Sequence, residues 1–135
     1  ESLPVTSHSP GLDATPQWMT PFGNGWSDDR QLLLPARQAG AFIEQRITAG
    51  RARRLTLHAT KAADYGIVRV SVNGKPAREF DGYAESVLPT GPIDLGVWEP
   101  EAGAFLIRFE AIDANPMAKG FRYLIGLDCI IPSAP

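Results

Sequence analysis

Residues 64–83 constrain the fold of this chain more than any other segment. Within them, valines at positions 68, 70 and 72 alternate with polar residues at 69 and 71. This period of two is typical of a strand with one buried face and one solvated face. The alternation ends at Asn73-Gly74, which favours a two-residue turn because glycine adopts a positive φ freely and asparagine tolerates it. The segment is therefore predicted to be a β-hairpin, with Pro76 on an edge strand or at a strand start.

Each end of this hairpin carries an acid, a tyrosine and a glycine. Asp64-Tyr65-Gly66 precedes the first strand, and Asp81-Gly82-Tyr83 follows the second. Because a hairpin brings its open ends together, these two groups are predicted to share one rim of the sheet. Acidic and aromatic side chains at a rim indicate a surface with a binding role, without naming its ligand.

The same alternation recurs along most of the chain. It predicts further strands at 41–47, 55–60, 93–97, 105–110 and 123–131, with a loop at 89–92. About eight strands at a spacing of roughly ten residues, without a helical stretch, are typical of a sandwich or barrel. Two stacked antiparallel sheets are favoured, because a single sheet this apolar would leave one face bare. We predict an all-β sandwich of jelly-roll type, with an immunoglobulin-like topology as the alternative.

Two segments carry no single clear period. Residues 1–25 are rich in Pro, Ser, Thr and Gly, and we expect a coil that packs on a body formed by residues 26–135, with a short strand near Leu3–Thr6. The last strand allows two phases. Either Leu127, Cys129 and Ile131 face inward, or Asp128 and Ile130 do.

Composition and charge restrict the partners. The chain has 135 residues and a net charge of −2, and its basic residues are scattered apart from Arg51, Arg53 and Arg54. Nucleic acids and anionic membranes attract basic stripes, so neither is expected as a partner. No apolar run reaches the about 18 residues needed to span a bilayer. The chain starts at Glu1 rather than Met, so we expect a processed protein or an excised segment, and Cys129 has no second cysteine to pair with.

Several segments together resemble galactose-binding-domain-like jelly rolls. They are Trp26-Ser27, residues 40–44, 60–66 and 73–74, the turn at 101–106 and the closing strand at 126–130. That closing strand is similar to the Asp-x-Ile strand of many carbohydrate-binding modules. The resemblance implies a non-catalytic accessory module of large secreted bacterial proteins, including planctomycete-type multidomain proteins, and hence an extracytoplasmic location. The chain departs from the pattern at Arg53-Arg54-Leu55, where such modules often have a tyrosine.

The resemblance also implies a structural calcium site. Such modules often open with an acidic pair, which is reduced here to Glu1, and Asp128 is the second candidate ligand. Calcium takes six or more oxygen ligands, and the sequence offers only these two. The expectation is therefore a module without a cofactor, with calcium as the alternative.

Sugar recognition by such a module needs flat apolar faces for the C–H side of a pyranose and polar groups for its hydroxyls. The predicted site residues are Trp26, Asp64, Tyr65, Asp81, Tyr83, Asn115 and Lys119. With these residues we predict a polysaccharide or oligosaccharide ligand. Both tyrosines also fit structural turns, and Trp98 is expected to lie in the core.

A contact domain and an enzyme are the alternatives. Trp18, Met19 and Phe22 make the N-terminal segment apolar, as in a structural domain that packs against a neighbouring domain of the same polypeptide. Catalysis has less support, because no pair of carboxylates stands out and His8 and His58 fit an ordinary surface. We therefore predict that the chain is not an enzyme.

Overall fold

The computed structural model describes residues 5–135, which form two five-stranded antiparallel sheets packed face to face. The strands are β1 (Val5–His8), β2 (Thr15–Trp18), β3 (Arg30–Leu34), β4 (Phe42–Thr48), β5 (Arg53–Lys61), β6 (Ile67–Val72), β7 (Lys75–Asp81), β8 (Leu88–Trp98), β9 (Ala104–Asp113) and β10 (Ile125–Ser133). Sheet A has the order β1-β4-β9-β6-β7, and sheet B has the order β2-β3-β10-β5-β8. Two 3₁₀ turns, Thr20–Phe22 and Ser27–Asp29, lie between β2 and β3. The predicted all-β jelly-roll sandwich is confirmed.

The core lies between the sheets and is built from the apolar half of each alternating strand. The fully buried side chains include Ile43 of β4, Leu55 and Leu57 of β5, Val68, Val70 and Val72 of β6, and Phe105, Ile107 and Phe109 of β9. Each such side chain contributes about 1.5–3 kcal/mol by leaving water. Within each of these four strands these buried side chains stand at alternate positions, as the period of two predicts.

The predicted hairpin is present as β6 and β7. Asn73 and Gly74 both have positive φ, 51° and 81°, and Val72 pairs with Lys75 across the turn. Asn73 also ties the turn to β9, because its Oδ1 accepts a hydrogen bond from the Leu106 amide at 2.9 Å. Strand β7 is an edge strand, so the missing N–H of Pro76 costs no ladder bond toward a further strand.

The coil predicted at residues 1–25 is wrong at β2, whereas β1 overlaps the short strand predicted near Leu3–Thr6 at Val5 and Thr6. Strand β1 pairs with β4 and strand β2 pairs with β3, each at the outer edge of its sheet. Both are four residues long, too short for a visible period, and their pairing is decided by the strands beside them rather than by their own sequence. The described residues form ten strands, where about eight were predicted. Leu3, in the strand predicted near the start of the chain, lies outside the described residues.

The predicted loop at 89–92 is also wrong, because these residues belong to β8. Strand β8 is the edge of sheet B, where prolines at 89 and 92 are tolerated. Its register to β5 shifts between His58 and Thr60, and the Thr90 hydroxyl accepts a hydrogen bond from the Ala59 amide at 3.1 Å. A side chain thus completes the ladder where the backbone cannot.

Both phases predicted for the last strand occur, in different halves of β10. Leu127 pairs with Ala59, but Cys129 pairs with His58, so a bulge lies between positions 127 and 129. Leu127 and Ile130 consequently both pack on the core. The bulge places Asp128 at the break, and burial raises the pKa of the neighbouring Cys129 thiol.

Candidate functional site

Three loops meet at one end of the sandwich and form the predicted rim, which we define as residues 62–66, 81–87 and 113–124. Ala62 forms a bridge with Tyr83, and Tyr65 forms one with Leu124. The Gly82 amide donates to the Gly66 carbonyl at 2.9 Å. The prediction that the two acid–tyrosine–glycine groups share a rim is confirmed.

The glycines of these two groups allow the loops to approach so closely. A Cβ on Gly82 would lie 2.6 Å from the Gly66 carbonyl oxygen, and a Cβ on Gly66 would lie 3.0 Å from the Tyr123 Cα. Real side-chain carbons do not approach backbone atoms at the first distance. Gly82 is therefore required by packing at the rim, and Gly66 lies in a tight contact, independently of any ligand.

A hydrogen-bonded carboxylate and amide occupy the surface of the rim. One oxygen of the exposed Asp81 accepts from the Tyr83 amide at 2.9 Å, and the other accepts from Asn115 Nδ2 at 2.7 Å. Asn115 Oδ1 accepts from the Met117 amide at 2.9 Å. The two side chains are thus held in place before any ligand arrives, and lone pairs of the Asp81 oxygens still face solvent.

The remaining polar residues lie in the same loops. The Lys119 amide donates to the Ala63 carbonyl at 2.7 Å, which places the exposed Lys119 beside the half-buried Asp64 in the fold. Six of the seven predicted site residues therefore belong to the rim, namely Asp64, Tyr65, Asp81, Tyr83, Asn115 and Lys119. Tyr83 is half-buried.

The prediction that Trp26 and Tyr65 offer stacking faces is wrong, because both rings are 6% exposed. Trp26 Nε1 donates to the Thr60 hydroxyl at 2.7 Å, and the Tyr65 hydroxyl accepts from Gln31 Nε2 at 2.7 Å. Burial raises the pKa of Tyr65 to about 12. The Tyr65 ring lies against Gly126 of β10, where a Cβ would come within 2.7 Å of Cε2, and it forms a second, smaller core with Ala62 and Leu124.

Three exposed aromatic residues, Trp18, Phe22 and Phe121, were not among the predicted site residues. Phe121, in the rim loop, is 43% exposed and stacks under Arg37, whose Cζ lies 4.1 Å from the ring centroid. Trp18 is 60% exposed and stacks under Arg30 at 4.3 Å. The signal for Phe121 was an isolated aromatic between Gly120 and a basic residue in a polar loop.

The calcium expectation stays a prediction. Glu1 lies outside the described residues, and both oxygens of Asp128 already accept from the Ser27 amide, at 3.0 and 3.1 Å. Partial burial raises the pKa of the Asp128 carboxyl. Across residues 5–135, no group of three or more His, Cys, Asp or Glu side chains is placed to hold a metal ion. In the same range, no helix combines the length and apolar character needed to cross a membrane.

Comparison with known proteins relates the chain to several solved structures. The sequence matches no protein-family model and, at a significant level, no curated protein. A xanthan lyase from Paenibacillus contains a similar domain, with a TM-score of 0.78 and 16% identity over 99% of this chain and 12% of the lyase. A family 35 carbohydrate-binding module from an environmental isolate has a TM-score of 0.60 and 18% identity over 98% of this chain and 88% of the module.

A third similar structure is the CBM36-1 domain of a multidomain xylanase from the hindgut metagenome of Trinervitermes trinervoides. Its TM-score is 0.53, with 11% identity over 95% of this chain and 94% of that domain. At these identities the likeness establishes a shared fold. The chain has the sandwich fold found in carbohydrate-binding modules.

Proposed function

We propose that this chain is a non-catalytic carbohydrate-binding module that binds a polysaccharide or oligosaccharide at the rim. The observation that carries the proposal is the Asp81–Asn115 pair, fixed by a 2.7 Å hydrogen bond at the surface of the rim. Groups held in place before binding lose little conformational entropy when a ligand arrives. The exposed Asp81 carboxylate thus offers an oriented acceptor in the same set of loops as the exposed Phe121 ring.

The proposed recognition combines stacking with hydrogen bonding. Phe121 and Tyr83 supply apolar ring surface for the C–H face of a pyranose. Its hydroxyls donate to the Asp81 carboxylate, and Lys119 and Asp64 orient neighbouring hydroxyls. Few anchors are present, so the affinity is modest and gains from repeated units along a polymer.

The solved structures support this proposal because their similar domains come from proteins that are named for carbohydrates. Two of them are carbohydrate-binding modules by name, and the third is a domain of an enzyme named for a polysaccharide. The chain corresponds to only 12% of that enzyme. We infer that this chain likewise serves as an accessory module within a larger extracytoplasmic protein and packs beside neighbouring domains.

Affinity electrophoresis of the isolated chain tests the proposal. Gels containing xanthan, xylan, mannan or galactan are compared with gels without polysaccharide, and at least one is expected to retard the protein. The double change Asp81→Ala with Asn115→Ala is expected to reduce the retardation by about tenfold or more, because it removes the fixed acceptor pair. Thermal unfolding of each variant confirms that the fold persists.

A matched control is Glu79→Ala, which removes an exposed carboxylate on β7 whose partner is Arg69 rather than the rim. This variant is expected to migrate like the parent chain. Equal retardation of the parent and the double variant on every retarding gel would contradict a binding site at the rim. No retardation on any polysaccharide, with the fold intact, would contradict the module proposal itself.

A contact domain is the second candidate, and the exposed Trp18 and Phe22 favour it. Large apolar side chains exposed near each other suit a protein interface. If the chain served only as such a spacer, the rim variant would change no binding property, and Trp18→Ala would weaken association with the adjoining domain.

A further inference from the structure

Asparagine is followed by glycine at two positions of this chain, Asn24-Gly25 and Asn73-Gly74. In such a pair the glycine nitrogen can attack the asparagine Cγ and close a five-membered succinimide ring. Glycine leaves this attack unhindered, because it carries no side chain and adopts many backbone conformations. Whether the reaction occurs in a folded chain therefore depends on how firmly the fold holds the asparagine side chain.

The fold holds Asn73 in one orientation. Its Nδ2 donates to the Glu99 carbonyl at 3.2 Å, and its Oδ1 accepts from the Leu106 amide at 2.9 Å. The Asn73 amide donates to the Leu106 carbonyl at 2.8 Å, so backbone and side chain are both tied to neighbouring segments. Moving Cγ onto the Gly74 nitrogen would break both side-chain hydrogen bonds, which opposes the reaction.

Asn24 has no such restraint. It is exposed and lies between the 3₁₀ turns Thr20–Phe22 and Ser27–Asp29. Within residues 5–135, neither the Asn24 side chain nor the Gly25 amide takes part in a hydrogen bond. Glycines flank it on both sides, with φ of 113° at Gly23 and 112° at Gly25. The carbon that is attacked and the nitrogen that attacks are therefore both unengaged.

We propose that Asn24 is a site of spontaneous deamidation, and that the two side-chain hydrogen bonds of Asn73 protect it from the same reaction. The Gly25 nitrogen loses its proton and forms a bond to Asn24 Cγ, and the side-chain amide nitrogen leaves as ammonia. Water then adds to one of the two succinimide carbonyls and opens the ring. The products are aspartate and isoaspartate, and the net change is water consumed and ammonia released.

This inference is independent of glycan binding, because Asn24 lies outside the rim. It has a consequence for the packing of sheet B. Isoaspartate adds one carbon to the backbone ahead of Gly25, and Gly25 is packed so tightly that a Cβ there would lie 2.8 Å from Pro89 Cγ. The isoaspartyl chain is therefore expected to unfold at a lower denaturant concentration than the unreacted chain. Anion exchange separates the two, since the product has one more negative charge, and equal unfolding midpoints would overturn this consequence.

Incubation of the chain at mildly alkaline pH, followed by tryptic peptide mapping and mass spectrometry, tests the proposal. Cleavage at Arg30, Arg69 and Arg78 places the two sites in separate peptides, 1–30 and 70–78. One sample stays folded, and a second is kept unfolded in urea. In the folded chain, the first peptide is expected to gain the mass of deamidation at least about tenfold faster than the second. In urea both peptides are expected to react at similar rates, because local sequence alone then decides.

Asn24→Gln is the matched variant, because glutamine keeps the amide but would have to close a larger ring. It is expected to abolish both the mass increase of the first peptide and the more acidic fraction on anion exchange. A mass increase that persists in this variant would overturn the site, since another residue would then be reacting. Reaction at Asn24 in urea but not in the folded chain would also overturn it. Equal rates at Asn24 and Asn73 in the folded chain would overturn the protective role of the hydrogen bonds.

Discussion

At the scale of single residues, aromatic side chains of the same type are exposed at one position and buried at another, so residue type alone does not predict which of them can contact a ligand. Trp18 and Trp26 both have polar or loop neighbours in sequence, yet Trp18 is exposed and Trp26 lies over Thr60. Which indole is covered depends on which one folds back onto sheet B, and local sequence does not encode that choice. The burial of Tyr65 also depends on a distant residue. Its ring packs into the space that Gly126 leaves in a strand 61 positions away. The sequence therefore predicted the polar part of the rim better than its aromatic part.

Tyr65→Phe tests the hydrogen bond that holds this ring. Removing the hydroxyl leaves Gln31 Nε2 with Gln17 alone, and the free energy of unfolding is expected to fall by about 0.5–1.5 kcal/mol, measured by chemical denaturation. The pKa of Tyr65 is raised from 10.0 to about 12 in the folded chain. The stability linked to this shift is complete below pH 10 and is lost as the pH rises toward 12, because the unfolded phenol ionises first.

A spectrophotometric titration checks the same assignment. One of the three tyrosines of the parent chain is expected to ionise late, and this late phase is expected to vanish in Tyr65→Phe. A late phase that survives the substitution would refute the assignment to Tyr65.

Gly82→Ala tests the close approach of the rim loops. The new Cβ would lie 2.6 Å from the Gly66 carbonyl oxygen, so backbone must move, and a loss of about 1–3 kcal/mol in unfolding free energy is expected. Gly50→Ala is the control, because a Cβ there meets nothing within 4 Å. Similar unfolding midpoints for the two variants would mean that the rim loops yield easily.

At the scale of elements, strands with one buried and one solvated face were predictable, and an edge strand was predictable where a turn signal marked it, as Asn73-Gly74 marks β7. Strands β4, β5, β6 and β9 lie inside their sheets and carry the period of two that burial of one face imposes. Strands β1, β2 and the first half of β8 lie at edges, where pairing comes from one neighbour and prolines are tolerated. The bulge in β10 could not be placed, because an alternation that changes phase fits two patterns equally well.

Thr90→Val tests how the edge strand β8 keeps its register. Valine has nearly the same shape but cannot accept the Ala59 amide, which donates to the Thr90 hydroxyl at 3.1 Å. We expect a loss of about 1–3 kcal/mol in unfolding free energy, since the amide would be left unpaired. Thr56→Val, on the half-exposed side of β5, is the control for the loss of a hydroxyl. Equal losses in the two variants would show that the register break does not depend on Thr90.

At the scale of the whole molecule, two hydrophobic cores of unequal size form the scaffold. The large core between the sheets fixes the sandwich, and its residues were largely predictable from alternation. The small core of Ala62, Tyr65 and Leu124 lies behind the rim and holds its loops together. This second core was not predictable, because its members are scattered along the chain and meet only after the sheets have formed. The residues proposed to bind sugar project from the scaffold that these two cores make.

The bulge of β10 gives this scaffold a tolerance that a regular strand lacks. Up to Leu127 the strand is in register with β3, and from Cys129 onward it pairs with β5 alone. A one-residue insertion or deletion ahead of Asp128 would shift the register of only the first half of β10, because the bulge absorbs the offset. The part of β10 that pairs with β3 can therefore change over evolutionary time, while the part that pairs with β5 alone keeps its register.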